Sequence, residues 1–492
     1  MKGSFRKRCC PAKASVVNRS DQEYSEGEFS MRKLRLQLPD LRQISWEHIL
    51  RLIKGFFTEG WYFGKEDPGS RDRLRLVTCN YTSNIIANLI GGSFWTGLLL
   101  LMNADDAFIG TMTMISTSAN MLQLVAPLLL ERFPQRKKIL TAMRGAVYFF
   151  NVVFIGLTPL FPFDQQTKLL FVALGVLVVN VISALHAPGV NIWHIQSIPN
   201  NVRQGYFSLI TMTVGAVVAV CNLAGSTIVD MFKAADQEYL GLLLMRAIAL
   251  VLVVFELKLY LNIKEYPYES SGEKFTIKDL LIKPFSNKLY LKTVLVAFLW
   301  NFSANTPSSY FTVYMLRNVE VSYSYLTLIS MLNVPIVLLL TPFWKKILQR
   351  LDWFKTLSIS MALYALYYIG LAFTSKTTLI VYPITMIYAY FMAIGINLSF
   401  TGIPYLNMPE KNQTVFIGFY STMANLAALL GVTFSKYFIL WTEDFVLNFF
   451  GFEMINKQYL LLITAVLVGL SGVGIFFIDK SLKKAQAAEQ NS

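Results

Sequence analysis

Four asparagines stand out as groups able to do chemistry in a very apolar chain. Asn84 and Asn88 lie four residues apart, and so do Asn301 and Asn305. A spacing of four puts both amides of a pair on one helical face. A carboxamide is costly in hydrocarbon unless it finds partners. The pairs therefore predict either a wet, solute-binding cavity or amide contacts between helices. Asn180, Ser183 and His186 follow at helical spacing, then Asn191 and Trp193, and Tyr388, Tyr390 and Asn397 form a comparable group. Trp95, Trp300 and Tyr310 add rings near the asparagines. Amides and aromatic faces together suit hydrogen bonding to, and stacking on, a small polar molecule such as a saccharide. Trp and Tyr also mark membrane interfaces, a role that Trp95 and Tyr310 fit equally. Histidine titrates near neutrality, so His186 is read either as a structural group or as a proton-coupling one.

The charged residues inside apolar stretches are few. Arg246 is the most unusual, and Asp230 or Asp236 is its expected partner; binding an anionic substrate is the sharper alternative. Arg144 and Glu256 lie nearer the ends of their stretches and are expected to be more easily wetted. No Asp or Glu falls near the middle of a stretch, which speaks against proton coupling through a carboxylate at depth. The four cysteines, Cys9, Cys10, Cys79 and Cys221, form no CxxC pair, and the three histidines are scattered. Neither a disulfide framework nor a metal site is expected. No nucleophile motif, phosphate loop or cofactor signature is present, so an enzyme is not expected.

The elements that position these residues are set by composition. Of 492 residues, 54% are hydrophobic and 15% charged, against about a quarter charged in soluble domains. Mean hydropathy is +0.47. Lipid is the solvent that tolerates such an exterior, so the bilayer is an expected partner. A helix needs about 20 apolar residues to cross it. Twelve such stretches are read, at roughly 76–101, 108–130, 139–160, 168–193, 206–229 and 239–262, then 289–315, 322–343, 354–373, 378–403, 414–440 and 458–478. The formal charge of +14 raises the thought of nucleic acid, but the basic residues follow the topology instead. Loops on one side hold Arg132, Arg136, Lys137, Lys138 and Arg203, then Lys264, Lys274, Lys278, Lys283, Lys288 and Lys292. The same side continues with Lys345, Lys346, Arg350, Lys355, Lys411, Lys480, Lys483 and Lys484. The other side holds Lys168, Lys233, Arg317, Lys376 and Lys457. The positive-inside rule then puts both termini in the cytoplasm. Residues 1–70 read as a cytoplasmic extension without an apolar signal-peptide core. Within it, Ile44 to Phe63 has near-helical apolar spacing and is either a surface-lying amphipathic helix or a packing element.

The chain also repeats itself. Asn84-Ile85-Ile86-Ala87-Asn88 followed by Phe94 matches Asn301-Phe302-Ser303-Ala304-Asn305 followed by Phe311, at an offset of 217. Leu130-Glu131-Arg132-Phe133 matches Leu348-Gln349-Arg350-Leu351 at 218. Ile198-Pro199 leading to Gly205-Tyr206-Phe207-Ser208 matches Met408-Pro409 leading to Gly418-Phe419-Tyr420-Ser421, the prolines 210 apart. The expected organisation is a six-helix bundle at 71–264, a polar linker at 265–287, a second bundle at 288–480 and a tail at 481–492. Duplicated halves in one orientation are related by an axis along the membrane normal.

In this repeat and topology the chain resembles the major facilitator superfamily, over about residues 71–480. The loop Pro127-Leu128-Leu129-Leu130-Glu131-Arg132-Phe133-Pro134-Gln135-Arg136-Lys137 is similar to the family's Gly-x-x-x-Asp-Arg-x-Gly-Arg-Arg/Lys, keeping the acid and the bases and losing both glycines. Gln349-Arg350 with Lys355 is a weaker copy. The resemblance implies an all-α membrane protein of twelve transmembrane helices in two pseudo-symmetric six-helix bundles. It implies a cavity lined by the first, fourth, seventh and tenth spans, with Asn84, Asn88, Asn180, His186, Trp300, Asn301, Asn305, Tyr390 and Asn397 as its candidate lining. It further implies gating by Glu131, Arg132, Arg136 and Arg350, for which plain positive-inside topology is the competing explanation. The Gly-Pro motif of drug:proton antiporters in the fifth span and the Pro-Glu-Ser-Pro-Arg signature of sugar porters are both absent, so no subfamily is assigned. The expected activity is alternating-access transport of a small polar solute by a monomer in a bacterial plasma membrane, its coupling ion unspecified. A transporter-like receptor, scaffold or lipid translocator is the alternative.

Overall fold

The computed structural model describes residues 69–490, apart from 125, 127–129, 131, 132, 134, 197, 199–202, 266–283, 406, 410–412, 444, 446, 450 and 451. All of them fall in one compact unit, Trp61–Ser492. The predicted amphipathic segment at 44–63, most of the 265–287 linker, and Glu131 and Arg132 lie outside the described residues.

The chain is helical almost throughout. α1 (Ser70–Ile90) and α2 (Gly92–Leu101) make the first span, and α3 (Asp106–Asn120) opens the second. The third is α4 (Lys137–Tyr148), a π-helical turn at Phe149–Phe154 and α5 (Ile155–Leu157). α6 (Gln165–Gln196), α7 (Arg203–Ala234) and α8 (Glu238–Asn262) complete the N-terminal half. The C-terminal half runs from α9 (Lys288–Asn305) and α10 (Phe311–Val313), with a second π turn at Tyr314–Asn318, to α11 (Tyr323–Met331) and α12 (Asn333–Leu351). It continues with α13 (Trp353–Ala372), α14 (Val381–Gly402), α15 (Gln413–Trp441) and α16 (Asn456–Gln490). A short antiparallel hairpin, β1 (Leu447–Phe449) with β2 (Phe452–Met454), precedes α16.

Ten helical stretches among the described residues are long and apolar enough to cross a bilayer. The two other predicted spans fall short for separate reasons. α3 is described as only 15 residues and leads into the segment where several residues are not described. α9 has 18 residues and carries Lys288, Lys292 and two asparagines. The helix faces agree with lipid as solvent, since Val251, Leu339 and Ile380 are 70% or more exposed, with no water needed to satisfy them.

Small residues set the closest helix contacts, as expected where lipid gives helices no hydrophobic reason to associate. At Gly472 a Cβ would come within 2.6 Å of the Ala362 nitrogen, and the Ser358 hydroxyl donates to the Gly472 carbonyl at 2.7 Å. α13 and α16 therefore pack backbone to backbone. The first span breaks at Gly91–Gly92. A Cβ on Gly91 would lie 2.5 Å from the Ala87 carbonyl oxygen, and Gly92 has φ +53°, a conformation glycine adopts without penalty.

The two most extensive contacts between the halves among the described residues are α3 on α15 and α7 on α11. The repeat maps the second span onto the eighth and the fifth onto the eleventh, so these contacts are images of one another. The fold thus has the pseudo-symmetry that the sequence repeat predicts.

Candidate functional site

The two ends of the bundle differ. One end, here the basic end, carries Arg136, Lys137 and Arg350. The other, the far end, holds the turns after Leu101, Ala234 and Asn318. Hydrogen bonds between the halves cluster at the far end. The Asp106 carboxylate, at the start of α3, accepts from Arg317 Nη1 at 3.0 Å and from Lys457 Nζ at 2.5 Å. Arg317 also donates to the Ala104 carbonyl at 2.9 Å, and the Tyr310 hydroxyl to the Asp106 carbonyl at 3.1 Å. On the other flank, Asp230 of α7 accepts from the Tyr323 and Ser324 amides at 2.9 and 2.7 Å. These are first-turn amides of α11 that lack intrahelical partners, and a carboxylate there also meets the positive end of the helix dipole. The Tyr323 hydroxyl donates to Glu238 at 2.7 Å, and its ring stacks on Phe94 at 5.8 Å. At the far end, therefore, a latch of hydrogen bonds ties the two halves together.

Below this latch lies a cavity of about 360 Å³ within the N-terminal half. Its walls come from four spans: Ala87, Ile90, Gly91 and Trp95 of the first; Met112, Thr113 and Ser116 of α3; Asn151 and Ile155 of the third; Val176, Val179 and Asn180 of α6. The Gly91–Gly92 break turns Trp95 into it, and the π turn supplies Asn151. Asn180 spends its Nδ2 on the Val176 carbonyl at 2.8 Å, which leaves Oδ1 as its free acceptor. Thr113 and Ser116 donate to carbonyls four residues back, so their oxygens can still accept. The lining offers amides, hydroxyls, one indole and apolar surface, and no charge.

The predicted residues divide around this cavity. Asn180 lines it. Asn84 and Asn88 sit on the same helix as its Ala87 and Gly91 but turn to other partners. Asn84 Nδ2 donates to the Asn80 carbonyl and Asn88 Nδ2 to the Asn84 carbonyl, both at 2.8 Å. Asn88 Oδ1 accepts from Asn222 of α7 at 3.2 Å, which makes it a contact between helices. Asn301 and Asn305 repeat the ladder, donating to the Ala297 and Asn301 carbonyls at 2.8 Å. Trp300 packs with Tyr364 and Phe400, ring centroids 6.0 Å apart in each case. Tyr390 is half-buried and Asn397 exposed. None of these C-terminal residues is among the described lining.

His186 is buried and belongs to a second, smaller cavity of about 190 Å³ toward the basic end, with Asn80, Ser83, Arg144, Asn191, His194 and Tyr260. Its Nε2 has no partner among the described residues. Beside it the expectation of an easily wetted charge fails for Glu256, whereas Arg144 stays about one-fifth exposed. Glu256 is 0% exposed. Its Oε1 accepts from Arg144 Nε at 3.1 Å and its Oε2 from the Tyr148 hydroxyl at 2.7 Å. The carboxylate avoids water because α4 brings both donors to it. The expected pairing of Arg246 with Asp230 also fails, since both Asp230 oxygens are taken by α11. Tyr310 is 1% exposed and serves the latch, not a membrane-interface belt. Among the predicted gating residues, Arg136 is buried and donates to the Phe133 carbonyl at 3.2 Å, and Arg350 is exposed. The first turn of α4 is capped by Glu265, which accepts from the Lys137 amide at 3.0 Å. Asn151 was missed, although an amide in the apolar run Val147–Leu157 meets the same criterion that singled out Asn84. Thr113 and Ser116 gave no signal, because threonines and serines are spread around all faces of α3.

The sequence profile of the Major Facilitator Superfamily matches residues 77–432, and the chain belongs to that family of membrane transporters. No curated protein matches it at the level of sequence. Its fold is similar to that of a mutant of the nucleoside transporter NupG, with a TM-score of 0.63 at 12% identity over 83% of this chain and 99% of that one. It is similar also to a bacterial homolog of the human lysosomal transporter Spinster, inward-facing and unoccupied, with a TM-score of 0.63 at 15% identity over 86% and 99%. A D-xylose–proton symporter gives 0.60 at 11% identity over 82% and 96%. The protein is a carrier of small solutes.

Proposed function

We propose that the N-terminal cavity is the solute site of a carrier that works by alternating access, and that its solute is a small polyhydroxylated molecule. The observation that carries this reading is the lining itself: Asn180, Asn151, Thr113 and Ser116 opposite the Trp95 indole, beside a broken helix. Hydroxyls of a sugar-like body match these donors and acceptors, and its apolar face matches the indole. Helix breaks that line a buried site are a recurrent device of transporters.

The basic end faces the cytoplasm in this reading, by the charge asymmetry of the loops. Both termini lie there, with the bundles at 71–264 and 288–480 joined by the 265–287 linker. The far-end latch then closes the site to the outside, and the halves rock about it when Asp106 and Asp230 release α9–α11 and α16. A monomer in a bacterial plasma membrane fits a site that one half builds alone.

Counterflow into proteoliposomes tests the proposal. Saturable exchange of a labelled hydroxylated solute is expected, assayed across hexoses, pentoses, nucleosides and sugar acids, and Asn180→Ala should reduce it with unchanged yield of folded protein. Exchange that survives Asn180→Ala and Trp95→Ala together would move the site elsewhere.

A further inference from the structure

We infer that the solute carries a negative charge, drawn by Arg246, and that it is a small hydroxylated monocarboxylate. The inference rests on reading the N-terminal cavity as the solute site. Arg246 lies in the third turn of α8 and is 4% exposed. A guanidinium has five N–H donors. This one makes a single hydrogen bond among the described residues, from Nη1 to the Asn151 carbonyl at 2.6 Å. No carboxylate among them pairs with it. Asp230 is committed to α11 and Glu238 to Tyr323 and Lys233. Arg144, in the same half, shows what a satisfied arginine looks like even when only partly buried, with Glu256 at 3.1 Å.

A buried cation with no counter-ion is strongly unfavourable, yet the surroundings are shaped to hold it. At Gly156 a Cβ would stand 2.6 Å from Arg246 Cδ, so only glycine leaves room for the stem. The Tyr239 hydroxyl ties the Gly156 carbonyl at 3.0 Å. The residue that receives the guanidinium bond, Asn151, sits in the π turn and lines the cavity. Such turns are frequent at functional sites. Arg246 is thus one residue behind the wall of a cavity whose own lining is uncharged, where little screens its field. An anion entering the cavity supplies the missing counter-charge. One cation without a second suits a monoanion, and the hydroxyls and amides of Thr113, Ser116 and Asn180 suit a hydroxylated body.

Trp95, in the cavity wall, reports the local potential. The test uses the full chain in phosphatidylcholine nanodiscs. The Trp95 emission is isolated as the difference from Trp95→Phe and quenched with neutral acrylamide, anionic iodide and cationic caesium. Iodide should quench it about tenfold better than caesium at low salt, as local focusing of counter-ions predicts. Arg246→Gln should remove that preference and Arg246→Lys should keep it, which separates Arg246 from the general positive charge of the protein. Gluconate, glucuronate or lactate should protect Trp95 from iodide. Arg246→Gln should also fold with an unchanged or higher thermal midpoint, because an uncompensated charge is removed. A Trp95 that acrylamide reaches but iodide does not favour overturns the anion and leaves the cavity as solute site. Protection by none of the three carboxylates overturns the carboxylate class. A Trp95 that acrylamide cannot reach overturns both readings. A lower midpoint for Arg246→Gln and Arg246→Lys alike would make Arg246 a structural residue.

Discussion

The two halves share a scaffold and differ in what fills it. Both open on a helix with an asparagine ladder, Asn84–Asn88 in one and Asn301–Asn305 in the other, with the same backbone bonds four residues back. Behind the ladders they diverge. The N-terminal half buries Glu256, His186 and Arg246, with Arg144 partly buried beside them, around two polar cavities. At the matching depth the C-terminal half packs rings: Tyr364, Tyr367 and Tyr368 lie 4.7 to 5.7 Å apart, with Trp300 against them. Its buried charges, Lys457 and Asp479, sit near the two ends of the last membrane-crossing stretch, Asn456–Lys483. Duplication supplied two copies of a frame, and the chemistry was invested in one. On the function proposed above, the N-terminal half recognises the solute and the C-terminal half moves as a well-packed body.

The largest effect should come from breaking the charged core on one side only. Glu256→Ala leaves the partly buried Arg144 without its partner, a change that costs up to about 3–5 kcal/mol. It should collapse the thermal midpoint and the monodisperse yield. Arg144→Met with Glu256→Leu should recover most of the loss, because an apolar pair of similar volume needs no desolvation. A mild Glu256→Ala phenotype would mean that the pair is wetted after all, and the contrast between the halves would weaken.

Next comes the latch that joins the halves. Asp106→Asn deprives Lys457, whose side chain is 7% exposed, of its carboxylate. Hydrogen bonds to charged groups contribute about 1.5–3 kcal/mol, enough to change the closed-to-open ratio at least tenfold. Labelling of a cysteine placed at Ser308 should accelerate accordingly. Unchanged labelling would mean that the α7–α11 contact through Asp230 holds the far end alone.

How much of this was legible in the sequence follows the same divide. The spans and the repeat are long-period signals, and the fold bears out the helical membrane architecture, with ten stretches among the described residues long and apolar enough to cross a bilayer. The amide ladders were legible too, because a polar group in an apolar run must find a partner. Which partner it finds depends on packing. Asn88 turned to Asn222 and Asn180 to the cavity, although spacing treats them alike. Arg246 and Glu256 show the limit most clearly. Distance from a span's end suggested that Glu256 would be wet and Arg246 paired. The packing of α8 against the third span reversed both, by placing Arg144 and Tyr148 around Glu256 and a glycine with a backbone carbonyl around Arg246.

The smallest predicted effects ask whether the halves are equally well tied internally. Asn88→Ala removes the bond from Asn222, and Ser303→Ala removes a 3.1 Å contact with Ser471 between α9 and α16. Hydrogen bonds between membrane helices average about 0.6 kcal/mol, so each variant should lower the midpoint by only a degree or two. The distinction lies in uptake. Asn88 sits one turn from Gly91, so loosening it should let the helix break shift and raise KM. Ser303 ties two helices of the C-terminal half and does not line the proposed solute cavity, so its loss should leave KM alone. If Ser303→Ala raised KM as much as Asn88→Ala, recognition would have to be shared across both halves. The aromatic half would then be a second wall of the site and not merely its lever.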